Sequence, residues 1–161
     1  MGNYRIKTTG PEHHQNISKL LIKCWGSTDI VTRGKIHSAD KLPSFGAFDH
    51  EKMFGLITYN IENNECEIVS LNSFRENMGI GTALIEAVRD AALKADCQRL
   101  WLITTNDNIP AIEFYKRRGF TITAVHEGAI AESRKLKPEI SLNGIDGVSI
   151  TDEVEMEMGV A

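Results

Sequence analysis

Leu71-Asn72-Ser73-Phe74-Arg75-Glu76-Asn77-Met78-Gly79-Ile80-Gly81-Thr82-Ala83-Leu84 is the stretch on which the fold turns. It continues an apolar run, Cys66 to Leu71, that reads as a strand. From Ile80 onward the period changes: Ile80, Leu84, Ala87, Val88, Ala91 and Ala95 recur on one helical face. The predicted unit is strand, loop, glycine pair, helix. Glycines at such a junction let the backbone approach a ligand closely. The unbonded N–H groups of the first helical turn then face it, and the helix dipole favours negative charge. A diphosphate suits that cradle. Two other phosphate motifs do not fit. A dinucleotide fingerprint needs a third small residue where Leu84 stands, and an ATP-type loop needs a Gly-Lys-Ser/Thr that is absent.

Downstream, Leu100 to Thr104 predicts a buried strand and Thr105 to Asn108 a polar turn. Pro110 then opens a helix that Arg117-Arg118-Gly119 closes. Phe120 to His126 is a further strand, Gly128 to Gly147 is less regular, and Glu153 to Met158 alternates as a half-exposed strand does. Upstream, Tyr4 to Thr8 is a strand. A helix follows with Ile17, Leu20, Leu21, Cys24 and Trp25 on its apolar face. Asp29 to Leu42 predicts a short second helix or loop. Ser44 to Phe48, Met53 to Ile61 and Cys66 to Leu71 form an antiparallel meander, because their loops are too short for crossovers. The long helix after Gly81 makes a crossover to a parallel strand. The expected fold class is α/β (α+β): a mixed, mostly antiparallel central sheet of six to seven strands, flanked by helices on both faces, with residues 1–161 as one domain.

Composition narrows the function. The 161 residues are 42% hydrophobic, and 18 basic against 22 acidic residues leave a net charge of −4. Nucleic-acid binders show a basic excess or stripe, and none is present here. No apolar run is long enough to span a membrane, and Met1 to Lys7 contains nothing like a signal peptide. The three cysteines, Cys24, Cys66 and Cys97, are odd in number and far apart. They point to a reducing, cytoplasmic compartment and away from disulfides or a zinc site. Cys24 and Cys97 read as small buried hydrophobes. No metal is expected.

A second motif joins the first. Asn108-Ile109-Pro110-Ala111-Ile112-Glu113-Phe114-Tyr115-Lys116-Arg117-Arg118-Gly119-Phe120 begins 27 residues after Gly81. Together the two segments resemble the GNAT superfamily of N-acetyltransferases. The first resembles its pyrophosphate loop, (Gln/Arg)-x-x-Gly-x-Gly/Ala. The second resembles its Asn-x-x-Ala-x-x-(Phe/Leu)-Tyr-x-x-x-Gly-Phe block. One position departs: where the family carries Gln or Arg this chain has Glu76, and Arg75 stands one place early. Either Glu76 points away, or a one-residue shift lets Arg75 serve.

The resemblance implies the acyl-CoA N-acyltransferase fold and transfer of an acetyl group from acetyl-CoA to a primary amine by direct attack in a ternary complex. The alternative is a catalytically weak acyl-CoA-binding regulatory module. By the same likeness the strand before the loop splays from its parallel neighbour. The backbone of Ile68, Val69 and Leu71 then holds the pantetheine arm, and the amides of Met78, Gly79, Ile80, Gly81 and Thr82 hold the diphosphate. Asn108 contacts the cofactor or simply caps its helix. Tyr115 stands near the sulfur as the acid, or belongs to the core. Glu67 is the preferred general base over Glu65 and His126, the alternative being a solvated strand carboxylate. Lys116 to Arg118 reach the nucleotide or complement the helix end. Trp25, Ser27, Arg33 and His37 fall in the segment that lines the acceptor site in this family. The acceptor is a small-molecule or peptide amine, and a homodimer is possible.

Overall fold

The computed structural model describes residues 3–75 and 78–160. In chain order the elements are β1 (Arg5–Thr8), α1 (His14–Trp25), β2 (Asp29–Thr32), β3 (Lys35–Ser38), β4 (Ser44–Asp49), β5 (Lys52–Glu62) and β6 (Glu65–Ser73). They continue as α2 (Ile80–Lys94), β7 (Arg99–Thr105), α3 (Ile109–Arg117), β8 (Thr121–His126), α4 (Ala129–Leu136) and β9 (Glu153–Gly159). Seven strands form one sheet in the order β1-β4-β5-β6-β7-β9-β8, and β2 and β3 pair separately. Within the large sheet β6 and β7 run parallel, while the other neighbours are antiparallel. This is the mixed, mostly antiparallel architecture expected from the sequence.

Both faces of the sheet are covered. The apolar stripe of α2, including Ile80, Leu84, Ile85 and Val88, packs on Ile57, Ile68, Leu100, Leu102 and Met156. On the other face Ile17, Leu20 and Leu21 of α1 cover Leu56 and Val69. Gly55 on β5 makes the first contact possible. A Cβ there would lie 2.8 Å from the Ile80 Cγ2 and 3.2 Å from the Asn72 carbonyl oxygen.

One register shift shapes the middle of the sheet. Thr58 pairs with Ser70 and Tyr59 with Ile68, so Val69 bulges from β6 without a partner on β5. At the same level the β6–β7 ladder stops. Its last rung is Ile68 to Leu102, although the strands continue to Ser73 and Thr105. The bulge bends β6 away from β7, and the two strands splay.

Three expectations need correction. Residues 29–38, expected as a short helix or loop, are a hairpin, β2–β3, and a single 3-10 turn follows at Ala39–Lys41. Arg33 (φ 49°) and Gly34 (φ 73°) both sit in the left-handed region that a two-residue hairpin turn requires. The charges flanking that turn hide the alternation that buries Ile30, Thr32 and His37. Residues 128–147 include a regular helix, α4, whose Arg134 holds the following loop through the carbonyls of Ser141 (2.7 Å) and Ile150 (2.8 Å). Cys24 is exposed, because it lies in the last turn of α1, open to a cleft, whereas Cys66 and Cys97 are buried.

Gly55→Ala should lower the unfolding free energy by about 1–3 kcal/mol, the usual cost of overpacking. Urea denaturation reads this directly, and an unchanged midpoint would contradict the contact with Ile80.

Candidate functional site

Gly79 begins α2 in a left-handed conformation (φ 71°). Tyr4, just before β1, steadies the preceding residue by donating to the Met78 carbonyl at 2.9 Å. Among the described residues, the first amide of this turn with a backbone acceptor is that of Ala83, which donates to the Gly79 carbonyl at 2.9 Å. The turn faces a cleft of about 480 Å³ bordered by Leu71 of β6, Gly79 to Thr82, and Tyr115 of α3. Glu76 lies outside the described residues. Arg75 borders the cleft, stacks over Phe54 at 3.2 Å from the ring centre, and pairs with Asp49 at 3.3 Å. Its neighbours hold the Asp49 carboxyl below its ordinary range, through a hydrogen bond from His50 first and the Arg75 guanidinium second.

Arg118 turns back from the end of α3. Its Nε donates to the Thr82 hydroxyl at 2.9 Å, its Nη1 to the Phe114 carbonyl at 3.0 Å, and its guanidinium stacks on the Phe114 ring at 3.7 Å. It thereby places a cation beside the first turn of α2. Arg117 instead makes a surface pair with Glu113 at 3.6 Å. Gly81 is small for a packing reason as well, since a Cβ would lie 2.9 Å from the Phe114 Cζ. Tyr115 packs edge-on against Phe114 and Phe120, and burial pushes its hydroxyl up to about 12.

A larger cleft of about 710 Å³ opens at the same splayed ends. Val69 and Ile103, the residues just past the last β6–β7 rung, border it together with Trp25, Thr32, Asn108 and Glu153. The gap between the strands therefore has Leu71 on one cleft and Val69 on the other, and α3 contributes Tyr115 to the first while its cap residue Asn108 borders the second. The Asn108 side chain accepts from the Ala111 amide at 3.3 Å, so it caps α3. Three carboxylates, Asp107, Glu139 and Glu153, border the larger cleft against one cation, Lys137. Lys137 is buried, which draws its ammonium below the usual value, and it donates to the carbonyls of Trp25 (3.0 Å) and Asp29 (2.8 Å).

Glu67 stands apart from both clefts. It is 5% exposed beneath the β2–β3 hairpin. It accepts from the Thr32 hydroxyl at 2.7 Å and lies 3.4 Å from His37 Nε2. The hairpin tip is tied down by Arg33, whose backbone amide and Nη1 both reach Glu153 at 3.1 Å. His126 is paired with Glu155 at 3.0 Å on the outer strands. The structure thus gathers Leu71, Gly79, Ile80, Gly81, Thr82 and Tyr115 around one cleft and Val69 and Asn108 around the other. Ile68 is the last paired rung, and Met78 packs toward the core. Sequence reasoning missed Thr32 and Glu153. Their signal would have been the period-two alternation across the Arg33-Gly34 turn and along β9. Among the described residues no three His, Cys, Asp or Glu side chains are placed to hold a metal ion, and no helix is long and apolar enough to cross a membrane.

Comparison with known proteins bears on the family and the fold. Residues 12–120 match the profile of the acetyltransferase (GNAT) family. The Bacillus subtilis (strain 168) protein YdhI is 42% identical over 139 residues, 86% of this chain and 87% of that one. Among solved structures, an IAA acetyltransferase from Bacillus cereus ATCC 14579 superposes with a TM-score of 0.75 at 15% identity, covering 98% of this chain and 99% of that one. A GNAT family acetyltransferase from Elizabethkingia anophelis with acetyl-CoA bound superposes with a TM-score of 0.69 at 17% identity, covering 99% of each chain.

The burial of the thiols has a chemical readout. Burial pushes the Cys66 thiol up to about 12 and also raises that of Cys97. Iodoacetamide at pH 8 should label Cys24 in the folded protein and leave Cys66 and Cys97 for the denatured one, as followed by mass spectrometry. Equal labelling of all three would contradict this packing.

Proposed function

Because the chain belongs to the acetyltransferase (GNAT) family, we propose that it transfers the acetyl group of acetyl-CoA to a primary amine, by direct attack while both substrates are bound. The observation that carries this reading is the β6–β7 splay, which separates the two clefts and lies beside the first turn of α2. The amides of Gly79 to Thr82 hold the donor's diphosphate, assisted by Arg118 and Arg75. The edge of β6 that opens after Ile68, through Leu71, bonds the pantetheine arm. The donor brings a thioester to the gap between the clefts.

The acceptor occupies the larger cleft. Its three carboxylates against one lysine suit a cationic amine, on a small molecule or a peptide. An ammonium with a pKa of about 10.4 must shed a proton at pH 7, which costs about 4–5 kcal/mol. Glu67 is the general base that takes it. Tyr115 faces the leaving sulfur. With its hydroxyl near 12 it keeps its proton and acts as a hydrogen-bond donor to the developing thiolate.

Thiol release from acetyl-CoA with ethanolamine, spermidine, lysine and a lysine-containing peptide tests the reaction. Absence of release with every amine at saturating acetyl-CoA would overturn it. Thr82→Glu should remove measurable acetyl-CoA binding in calorimetry, since it sets a carboxylate beside the diphosphate. The fold should survive, because an acidic residue in the first turn complements the helix dipole. Tyr115→Phe should lower turnover about tenfold or more while leaving acetyl-CoA affinity within about twofold. An unchanged rate would assign Tyr115 to packing.

A further inference from the structure

We infer that Thr32 carries the acceptor's proton from the larger cleft to Glu67, so that the base works through a threonine hydroxyl. This rests on the reading of Glu67 as the base and adds the route by which it is reached. Thr32 borders the larger cleft, while Glu67 lies beneath the hairpin and outside that cleft. Val69 and Ile103, at the open end of the β6–β7 gap, border the same cavity as Thr32. Thr32 therefore stands between that cavity, which it borders, and Glu67, to which its hydroxyl donates.

The hydrogen bonds determine what this hydroxyl can do. Its single hydrogen is directed to Glu67 Oε2 at 2.7 Å. His37 Nε2 lies 2.9 Å from the same oxygen and must therefore be the donor, which fixes the imidazole with its hydrogen on Nε2. A hydroxyl oxygen has two lone pairs. His37 takes one, and the other is left for an N–H from the cleft. The ammonium proton moves to Thr32 Oγ1 as the Thr32 hydrogen moves to Glu67 Oε2. The neutral nitrogen then attacks the thioester carbonyl carbon. The C–N bond forms, the C–S bond breaks, and the electron pair leaves on sulfur. The amine's second proton ends on that sulfur, and Glu67 later returns its proton to water by the reverse path.

His37 is a positioning residue here. It is 3% exposed and contacts both partners, with its Nε2 also 3.4 Å from Glu67 Oε1. The groups facing Glu67 are few. Its strand neighbours in register, Asn60 and Trp101, do not titrate, and Glu62 and Glu65 share the shallow groove on its outer side. Glu153 borders the cleft as well, but it is engaged by the Arg33 amide and guanidinium.

Thiol release from acetyl-CoA with the fastest of the four amines tests the relay. Thr32→Val keeps the shape and removes the hydroxyl. It should lower kcat by about 100-fold or more, the usual contribution of a positioned proton-transfer group, with acetyl-CoA affinity unchanged. Thr32→Ser should restore most of the rate. The double variant Thr32→Val/Glu67→Gln should be no slower than the slower single, because both act on one proton path. His37→Gln, which keeps a donor, should retain more activity than His37→Phe. If Thr32→Val loses acetyl-CoA binding, Thr32→Ala replaces it in the comparison with Thr32→Ser. Full rate in the hydroxyl-free variant with an inactive Glu67→Gln overturns the relay and leaves Glu67 as the base. Full rate in both, or no reaction with any amine, overturns both readings.

Discussion

The large sheet loses its β6–β7 rungs after Ile68 and Leu102, at the level where Val69 bulges from β6. An open ladder leaves backbone N–H and C=O groups without sheet partners, and each such group costs about 1–3 kcal/mol if it is also shut away from water. A gap in the middle of a sheet therefore persists only where something polar reaches it. In this chain the strands on either side stay paired outward, β7 to β9 throughout and β6 to β5 at every position but the bulged Val69, so the gap is held open by its neighbours. The two clefts, the first turn of α2 and the placement of Tyr115 and Asn108 are arranged around that opening.

The face opposite α2 carries an unusual density of charge for a sheet surface. Glu67, Glu153, Glu155 and Glu157 alternate inward from β6 and β9, and each is met by a donor from elsewhere in the chain: Thr32, Arg33 or Arg99. Glu153 is 1% exposed yet keeps both the amide and the guanidinium of Arg33. Buried carboxylates need such partners, and without them burial would favour the neutral acid. The small hairpin β2–β3 is thus held on the sheet by polar groups as well as by Ile30, which packs in one cluster with α1, Leu56 and Val69.

The parts legible in the sequence were those whose pattern is local. The period of Ile80, Leu84 and Val88 marked α2, the glycines marked its start, and Asn108 with Pro110 marked α3, because capping and helical periodicity act over a few residues. The alternation around Glu65 and Glu67 correctly put both on one face of β6. Thr32 was hidden, since its contact with Glu67 spans 35 residues and depends on the hairpin register. Cys24 was misread because its apolar spacing continues into the last turn of α1, which opens onto the larger cleft. The return of Arg118 to Thr82 likewise depends on how α3 docks, which no spacing encodes.

Gly81 illustrates how two demands can converge on one position. Its missing side chain leaves room for the Phe114 ring of α3, independently of any molecule in the cleft. A descendant that had abandoned catalysis would still be selected to keep glycine there for its fold. Persistence of that residue across diverging copies is therefore a record of helix docking, and the loss of function in such a lineage would leave its trace first at Thr32 or Tyr115.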